Sequence, residues 1–345
     1  MKAIIYPEHG GIEVLKYADV PDPKPLPNEV LIKVRASGLN HNDLWARRGL
    51  PGMKFALPHI PGSDLSGEVV GKGEMVTSVE IGQKVVIHPA ISCRNCAACA
   101  SGHEYFCRSF KIFGFQTGPL NGAHAELVRI PEANVIPKPE RLSWEEAATL
   151  PLCLLTVWHM LITRAKLSPG QDVLVWGAGS GIGSLAIQLA RSMQCRVIAT
   201  ASSEEKAKRA RELGADEVVN PHTQDVVAEV KKFTNKKGVE VVFEHTGEKT
   251  WERSMASLNW GGTIVICGNT TGFEAKIDLR FLFNKQLNLL GSHQGNKAEL
   301  VEALKLVDRG AIRPVLDSVY PLKDAAKAQQ RMEESKHFGG LVLVP

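Results

Sequence analysis

The sequence predicts an α/β protein in two parts: a β-rich first half, then a parallel sheet wound with helices on both faces. Three observations carry this. Up to about residue 150 the chain reads as short strands broken by Pro and Gly. From about residue 155 apolar strands alternate with helical segments. A glycine cluster, Gly177-Ala178-Gly179-Ser180-Gly181-Ile182-Gly183, lies where one of those strands meets a helix.

In the first part, Val30, Ile32, Val34 and Ala36 share one face of an alternating strand. Val69–Val70, Gln83–His88 and Ala125–Ile130 add further short strands, together suggesting a partly closed β-rich domain. In the second part, Asp172–Gly177 is a buried strand, and Leu185, Ala186, Leu189, Ala190 and Met193 follow at helical spacing. Arg196–Ala201 is the next strand, and Ser203 caps a helix that stops at Gly214. Strands are expected at Val239–Phe243, Thr263–Cys267 and Leu287–Leu290, with a last one at Gly340–Val344.

Bulk properties set the class. Apolar content of 44%, charged content of 23% and a net charge of +4 over 345 residues describe a globular protein without a polycationic face for nucleic acid. The opening Met1–Tyr6 run is too short for a signal peptide, and no run approaches about 18 uninterrupted apolar residues. A cytoplasmic protein is expected, with Cys153, Cys195 and Cys267 as buried thiols.

The remaining four cysteines, Cys93, Cys96, Cys99 and Cys107, are spaced Cys-x2-Cys-x2-Cys-x7-Cys. Four thiolates this close surround one tetrahedral Zn²⁺ and leave no open position. The expected metal is therefore one structural zinc per chain, whose binding energy helps fold the 93–107 lobe.

The glycine cluster is placed to meet a dinucleotide pyrophosphate at a helix N-terminus, although position 182, where strict G-x-G-x-x-G spacing puts glycine, is Ile. NAD sites usually carry an acid about 20 residues further on, for the ribose 2′-hydroxyl. Here the second strand ends Thr200-Ala201-Ser202-Ser203. Glu204 and Glu205 are expected to pair with Lys208 and Arg209 at i+4. Lys206 has Ser202 and Ala210 at its own i−4 and i+4 positions. Two hydroxyls and this ammonium suit a 2′-phosphate, so NADPH is favoured over NADH.

With its zinc lobe and late dinucleotide-binding unit, the chain resembles the medium-chain dehydrogenase/reductase family over essentially its whole length. The resemblance implies a GroES-like catalytic domain (1–154 and 292–345) and a Rossmann domain (155–291), with an active-site cleft between them and a homodimer or homotetramer. It also implies a small-molecule substrate, and it assigns Thr156, Thr246, Gly247, Gly268 and Ser292 to the nicotinamide half of the cofactor. The family's zinc alcohol dehydrogenases hold a second, catalytic zinc with a Cys, the His of Gly-His-Glu, and a later Cys or Asp. At the matching positions this chain has Asn40, Ser63 and Leu152, and Asp64 replaces the Glu. A literal Gly102-His103-Glu104 falls inside the cysteine lobe, out of place for that motif.

Zinc-free chemistry like that of the family's quinone and enoyl reductases is therefore implied: NADPH-dependent reduction of a quinone or an α,β-unsaturated carbonyl. A conjugated acceptor needs less polarisation than a ketone because its charge delocalises once hydride arrives. Asn40, His41 and Asp64 are the candidate catalytic groups. The rival readings are a rearranged zinc site, with His41 and Asp64 joined by His59 or His88, and an NADPH-binding protein without turnover.

Overall fold

The computed structural model describes all residues from Met1 to Pro345. The chain forms two compact units. One comprises Met1–Cys153, Gly295–Asp308 and Pro314–Pro345; the other comprises Leu154–Gln294 and Arg309–Arg313. The short piece 309–313, expected with the catalytic domain, belongs instead to the second unit. Gln188 explains this: its side chain donates to the Arg313 carbonyl at 3.0 Å and accepts from the Arg313 amide at 3.0 Å.

The first unit is built on a seven-stranded sheet. Its central strand, Glu29–Leu39, pairs antiparallel with Asp64–Lys72, Leu127–Pro131 and the last strand, Gly340–Val344. The alternation read from the sequence is real: Val30, Ile32, Val34 and Ala36 are all buried, while Lys33 and Arg35 face solvent. Val30, Ile32 and Val34 pack with Leu65, Val69, Val85 and Ile87 in one core, and Ala36 packs with Ala148 and Val342 in another. Beyond Ala36 the alternation stops, because Ser37, Gly38 and Leu39 are buried on both faces. A Cβ at Gly38 would run into the Ala148 carbonyl, so glycine permits that close approach.

The second unit is a six-stranded, wholly parallel sheet. From edge to edge its strands are Glu217–Val219, Arg196–Thr200, Asp172–Val175, Val239–Glu244, Leu258–Ile266 and Asn288–Gly291. The first strand in sequence lies centrally and the order reverses beside it, so a crevice opens at the carboxyl ends of Asp172–Val175 and Val239–Glu244. Cys195 is buried as expected, but Cys267 is only half-buried, because it follows the end of its strand instead of lying within it. No helix is long and apolar enough to cross a membrane.

Candidate functional site

The four lobe cysteines come together: their sulfurs all lie within 4.8 Å of one another. Sγ–Sγ separations are 3.9 Å for Cys93–Cys99, 3.6 Å for Cys96–Cys99 and 3.5 Å for Cys93–Cys107. A tetrahedral zinc with ordinary Zn–S bonds would space its sulfurs by about 3.8 Å, so this donor set fits zinc in both number and spacing. Local structure places each thiol. Cys96 caps the short helix Ala97–Ala100, and Cys107 follows the turn Glu104–Phe106. Backbone amides of Asn95 and Cys96 hold the Cys93 thiol down to about 6, ready to ligate as thiolate. His103 lies outside the quartet, with its Nδ1 3.0 Å from Ser101 Oγ and its ring stacked on Phe106.

A second polar cluster forms where the central strand gives way to the helix His41–Arg48. Asp43 ties the junction, accepting from the Asn40 amide at 2.8 Å and the Gly62 amide at 3.0 Å. The Asn40 side chain then turns to Asp64, donating Nδ2 to Oδ2 at 2.8 Å. The Leu152 amide donates to the other oxygen of Asp64, also at 2.8 Å, and the Cys153 thiol donates to Asn40 Oδ1 at 3.3 Å. Two of the positions matched to the usual zinc ligands, Asn40 and Leu152, thus meet on Asp64, but as an amide and a leucine. Ser63 Oγ accepts from Asn42 at 2.8 Å. Burial pushes the Asp64 carboxyl up to about 7, with the Asn40 and Leu152 hydrogen bonds opposing the shift and nearby Asp43 adding to it.

The rearranged zinc site does not assemble. His59 Nε2 lies 2.9 Å from the Gly114 carbonyl, and burial lowers its pKa. His88 is fully buried and pushed down to about 3 by that burial. His41 sits edge-on to Trp45, with ring centroids 5.3 Å apart. The Cys93–Cys107 quartet is the one group of three or more His, Cys, Asp or Glu donors close enough to hold a metal. A catalytic zinc has no fitting donor set around Asp64.

Sequence reasoning missed the support beneath this cluster. Ser37 Oγ lies 2.7 Å from His124 Nδ1 and donates to the Asp64 carbonyl at 3.1 Å, while His124 Nε2 is 3.5 Å from Asp43. All of these groups are buried. A Cβ on Gly62 (φ +105°) would lie 2.6 Å from His124 Nδ1, so only glycine leaves room for the imidazole. Nothing in the local pattern around His124 signals this partnership.

In the second unit the glycine cluster lies between the strand Asp172–Val175 and the helix Gly181–Ser192. Ser180 caps the helix Gly181–Ser192, accepting from the Gly183 amide at 2.9 Å and donating to the Gly177 carbonyl at 2.9 Å. Gly177 takes a positive φ of 62°, and a Cβ at Gly183 would strike the Gly177 carbonyl. The strand therefore turns tightly into the helix N-terminus, with Gly179, Gly181 and Ile182 at the turn. His245, unnoticed in the sequence, packs beneath: its Nε2 is 2.8 Å from the Trp176 carbonyl, and its ring would be 3.1 Å from a Cβ on Gly177.

Register brings the nicotinamide candidates to one edge. Glu244, Ile266 and Gly291 are aligned neighbours, so Thr246-Gly247, Gly268 and Ser292 lie together at the carboxyl ends of their strands. Thr156 joins them through Gln294, whose amide donates to Thr156 Oγ1 at 3.2 Å. Glu244 is buried but satisfied, accepting from the Thr246 and Gly247 amides and the Thr250 and Ser254 hydroxyls. At the end of Arg196–Thr200, Ser202 and Ser203 are exposed, and Ser203 Oγ caps the next helix by accepting from the Lys206 amide at 3.3 Å. Glu204 turns to Arg211, 3.3 Å away, instead of to Lys208.

Both halves match known families. Residues 26–140 match the alcohol dehydrogenase GroES-like domain, and residues 181–309 match the zinc-binding dehydrogenase domain. The chain is 34% identical to a crotonyl-CoA carboxylase/reductase of Cereibacter sphaeroides, over 92% of its own length and 80% of that protein.

The chain is a medium-chain dehydrogenase/reductase.

Within that family its relatives carry different names. A quinone oxidoreductase of Pseudomonas aeruginosa is 31% identical over 100% of this chain and 99% of that one. A crystal structure of an NAD-dependent alcohol dehydrogenase superposes with a TM-score of 0.96 at 42% identity, covering both chains fully. This medium-chain dehydrogenase/reductase is accordingly an oxidoreductase with a GroES-like and a Rossmann part. The names divide among thioester, quinone and alcohol chemistry, so the choice must come from its own site.

Proposed function

We propose that this enzyme reduces an α,β-unsaturated carbonyl or a quinone with NADPH and without a catalytic zinc. The observation that carries the reading is that Asn40, Ser63 and Leu152 stand at the positions of the usual zinc donors, with the Asp64 carboxyl held between the Asn40 amide and the Leu152 backbone. Without a Lewis acid, an unactivated ketone or alcohol is a poor partner for hydride transfer, whereas a conjugated acceptor spreads the incoming charge. Bound NADPH supplies the hydride. Net reduction adds that hydride to the β-carbon and one proton to the α-carbon, by way of the enolate oxygen. Asp64 suits the proton, because at about 7 its carboxyl is protonated over much of the neutral range. Asn40 orients Asp64, and both of its own amide atoms are engaged: Nδ2 with Asp64, Oδ1 with Cys153. His41, half-buried at the start of its helix, is the group proposed to exchange protons with solvent.

For the cofactor, Ser202 and Ser203 offer hydroxyls and Lys206 an ammonium to a 2′-phosphate, and no carboxylate occupies the end of the Arg196–Thr200 strand. Gly177, Gly179, Ser180, Gly181, Ile182 and Gly183 would hold the pyrophosphate. Steady-state oxidation of NADPH and NADH with an enone and a quinone tests both parts. We expect NADPH to be preferred, and Lys206→Ala to reduce kcat/KM for NADPH about tenfold, the worth of one charge-assisted hydrogen bond, while NADH is little affected. Equal use of NADH with no response to Lys206→Ala would overturn the cofactor reading. Alcohol oxidation that requires added zinc would overturn the reaction.

A further inference from the structure

Behind the Asn40–Asp64 contact, one fully buried imidazole ties three segments together. Ser37 comes from the central strand, Asp43 from the helix His41–Arg48, and His124 from just before the strand Leu127–Pro131. His124 Nδ1 is 2.7 Å from Ser37 Oγ, and its Nε2 is 3.5 Å from Asp43 Oδ2. Hydrogen counting fixes the protons on this ring. The Ser37 hydroxyl has a single hydrogen, and the Asp64 carbonyl at 3.1 Å, which can only accept, takes it. Nδ1 therefore donates to Ser37 Oγ. A bare Nε2 would then turn its lone pair on a carboxylate oxygen in a dry interior, whereas a second ring proton turns that repulsion into attraction. Asp43 accepts one backbone amide on each oxygen, Asn40 at 2.8 Å and Gly62 at 3.0 Å, contacts that suit a carboxylate. Tyr6 and His59 also feel Asp43, but burial keeps the tyrosine hydroxyl protonated and pushes the His59 imidazole down, so neither supplies a positive charge.

Resting on the reading of Asp64 as proton donor, we propose that His124 is a positioning residue held as an imidazolium, the counter-charge of Asp43 that limits how tightly Asp64 keeps its proton. The negative charge of Asp43 strengthens the hold of Asp64 on that proton. A cation 3.5 Å from Asp43 offsets this push. The same ring also fixes geometry. Through Ser37 it reaches the Asp64 carbonyl, and through Asp43 it reaches the Asn40 amide. The proposed proton donor and its Asn40 partner are thus anchored to one side chain.

The test is the alkaline limit of enone reduction by NADPH in the wild type, His124→Gln and Ser37→Ala. Glutamine keeps a hydrogen-bond donor toward Asp43 but carries no charge, so the limit is expected to move up by about one pH unit. Ser37→Ala removes the acceptor of Nδ1–H and should move the limit the same way. An unchanged or lowered limit in His124→Gln overturns the proposal and leaves zinc-free reduction standing. Where His124→Gln does not fold, Ser37→Ala carries the comparison and the wild type is read directly. Imidazole nitrogen resonances of histidine-labelled protein at neutral pH, with His124 assigned by its displacement in Ser37→Ala, should show both of its nitrogens protonated; a neutral His124 ring overturns the proposal. Absence of turnover in every protein would sink the reduction reading. The infrared C=O stretch of the protonated Asp64 carboxyl, identified by its loss in Asp64→Asn, then reports the same midpoint without chemistry. A midpoint that rises in His124→Gln supports the counter-charge, and one that stays or falls overturns it.

Discussion

Asp64 is a buried carboxyl that accepts two hydrogen bonds and faces a second carboxylate, Asp43, across the same junction. Its pKa rises from 3.8 to about 7 on folding because burial outweighs the two donors. The folded chain therefore binds this proton more tightly than the unfolded chain at every pH separating those values. Stability from this group is complete at acid pH, declines as pH rises from about 4 to about 7, and stays low above that. The total is on the order of a few kcal/mol. Asp64→Asn should remove that slope and melt above the wild type at pH 8, as thermal unfolding across pH would show; an unchanged slope would mean the carboxyl ionises freely. Wild-type reduction should also slow above about pH 7, because the protonated carboxyl is the form that gives up a proton.

At the scale of elements, the proposed dinucleotide cradle is one unit made of a strand end, a turn and a helix cap. Gly177 supplies the positive φ, Ser180 ties the turn at both ends, and Gly183 lets the helix close against the Gly177 carbonyl. Gly183→Ala drives a methyl into that carbonyl and displaces the backbone proposed to meet the pyrophosphate. NADPH should bind at least about tenfold more weakly, the worth of one lost charge-assisted hydrogen bond. Tm should drop, and zinc content should be unchanged; cofactor titration by fluorescence quenching checks this.

The cradle was legible in the sequence because glycine and a capping serine are local necessities, each tied to its own φ or hydrogen bond. The strand Val30–Ala36 was legible for a similar reason, since period-two burial is written into adjacent residues. The partners Ser37, His124 and His245 were not legible. Each acts across long sequence gaps, 87 residues for Ser37–His124 and 69 for His245–Trp176, and no periodicity records such a contact.

For the whole molecule, one chain combines two features that are not tied to each other: a complete four-cysteine zinc set and a dismantled catalytic set. The first was readable from spacing alone, because four cysteines within 15 residues at such short gaps suit chelation of one metal. The second needed the family frame to say which positions should have carried ligands, and the fold to show that two of them, Asn40 and Leu152, meet on Asp64. Losing the structural zinc should cost folding stability, because its binding energy is spent on the lobe. Cys96→Ser should lower zinc content and Tm together, measured by metal analysis and thermal unfolding. The central claim is that one zinc suffices for catalysis. The most direct measurement is zinc per chain in preparations that are actively oxidising NADPH with an enone. One zinc per chain at full activity is the predicted result. Two zincs per chain, with the second zinc and the activity lost together in Asp64→Ala, would contradict it.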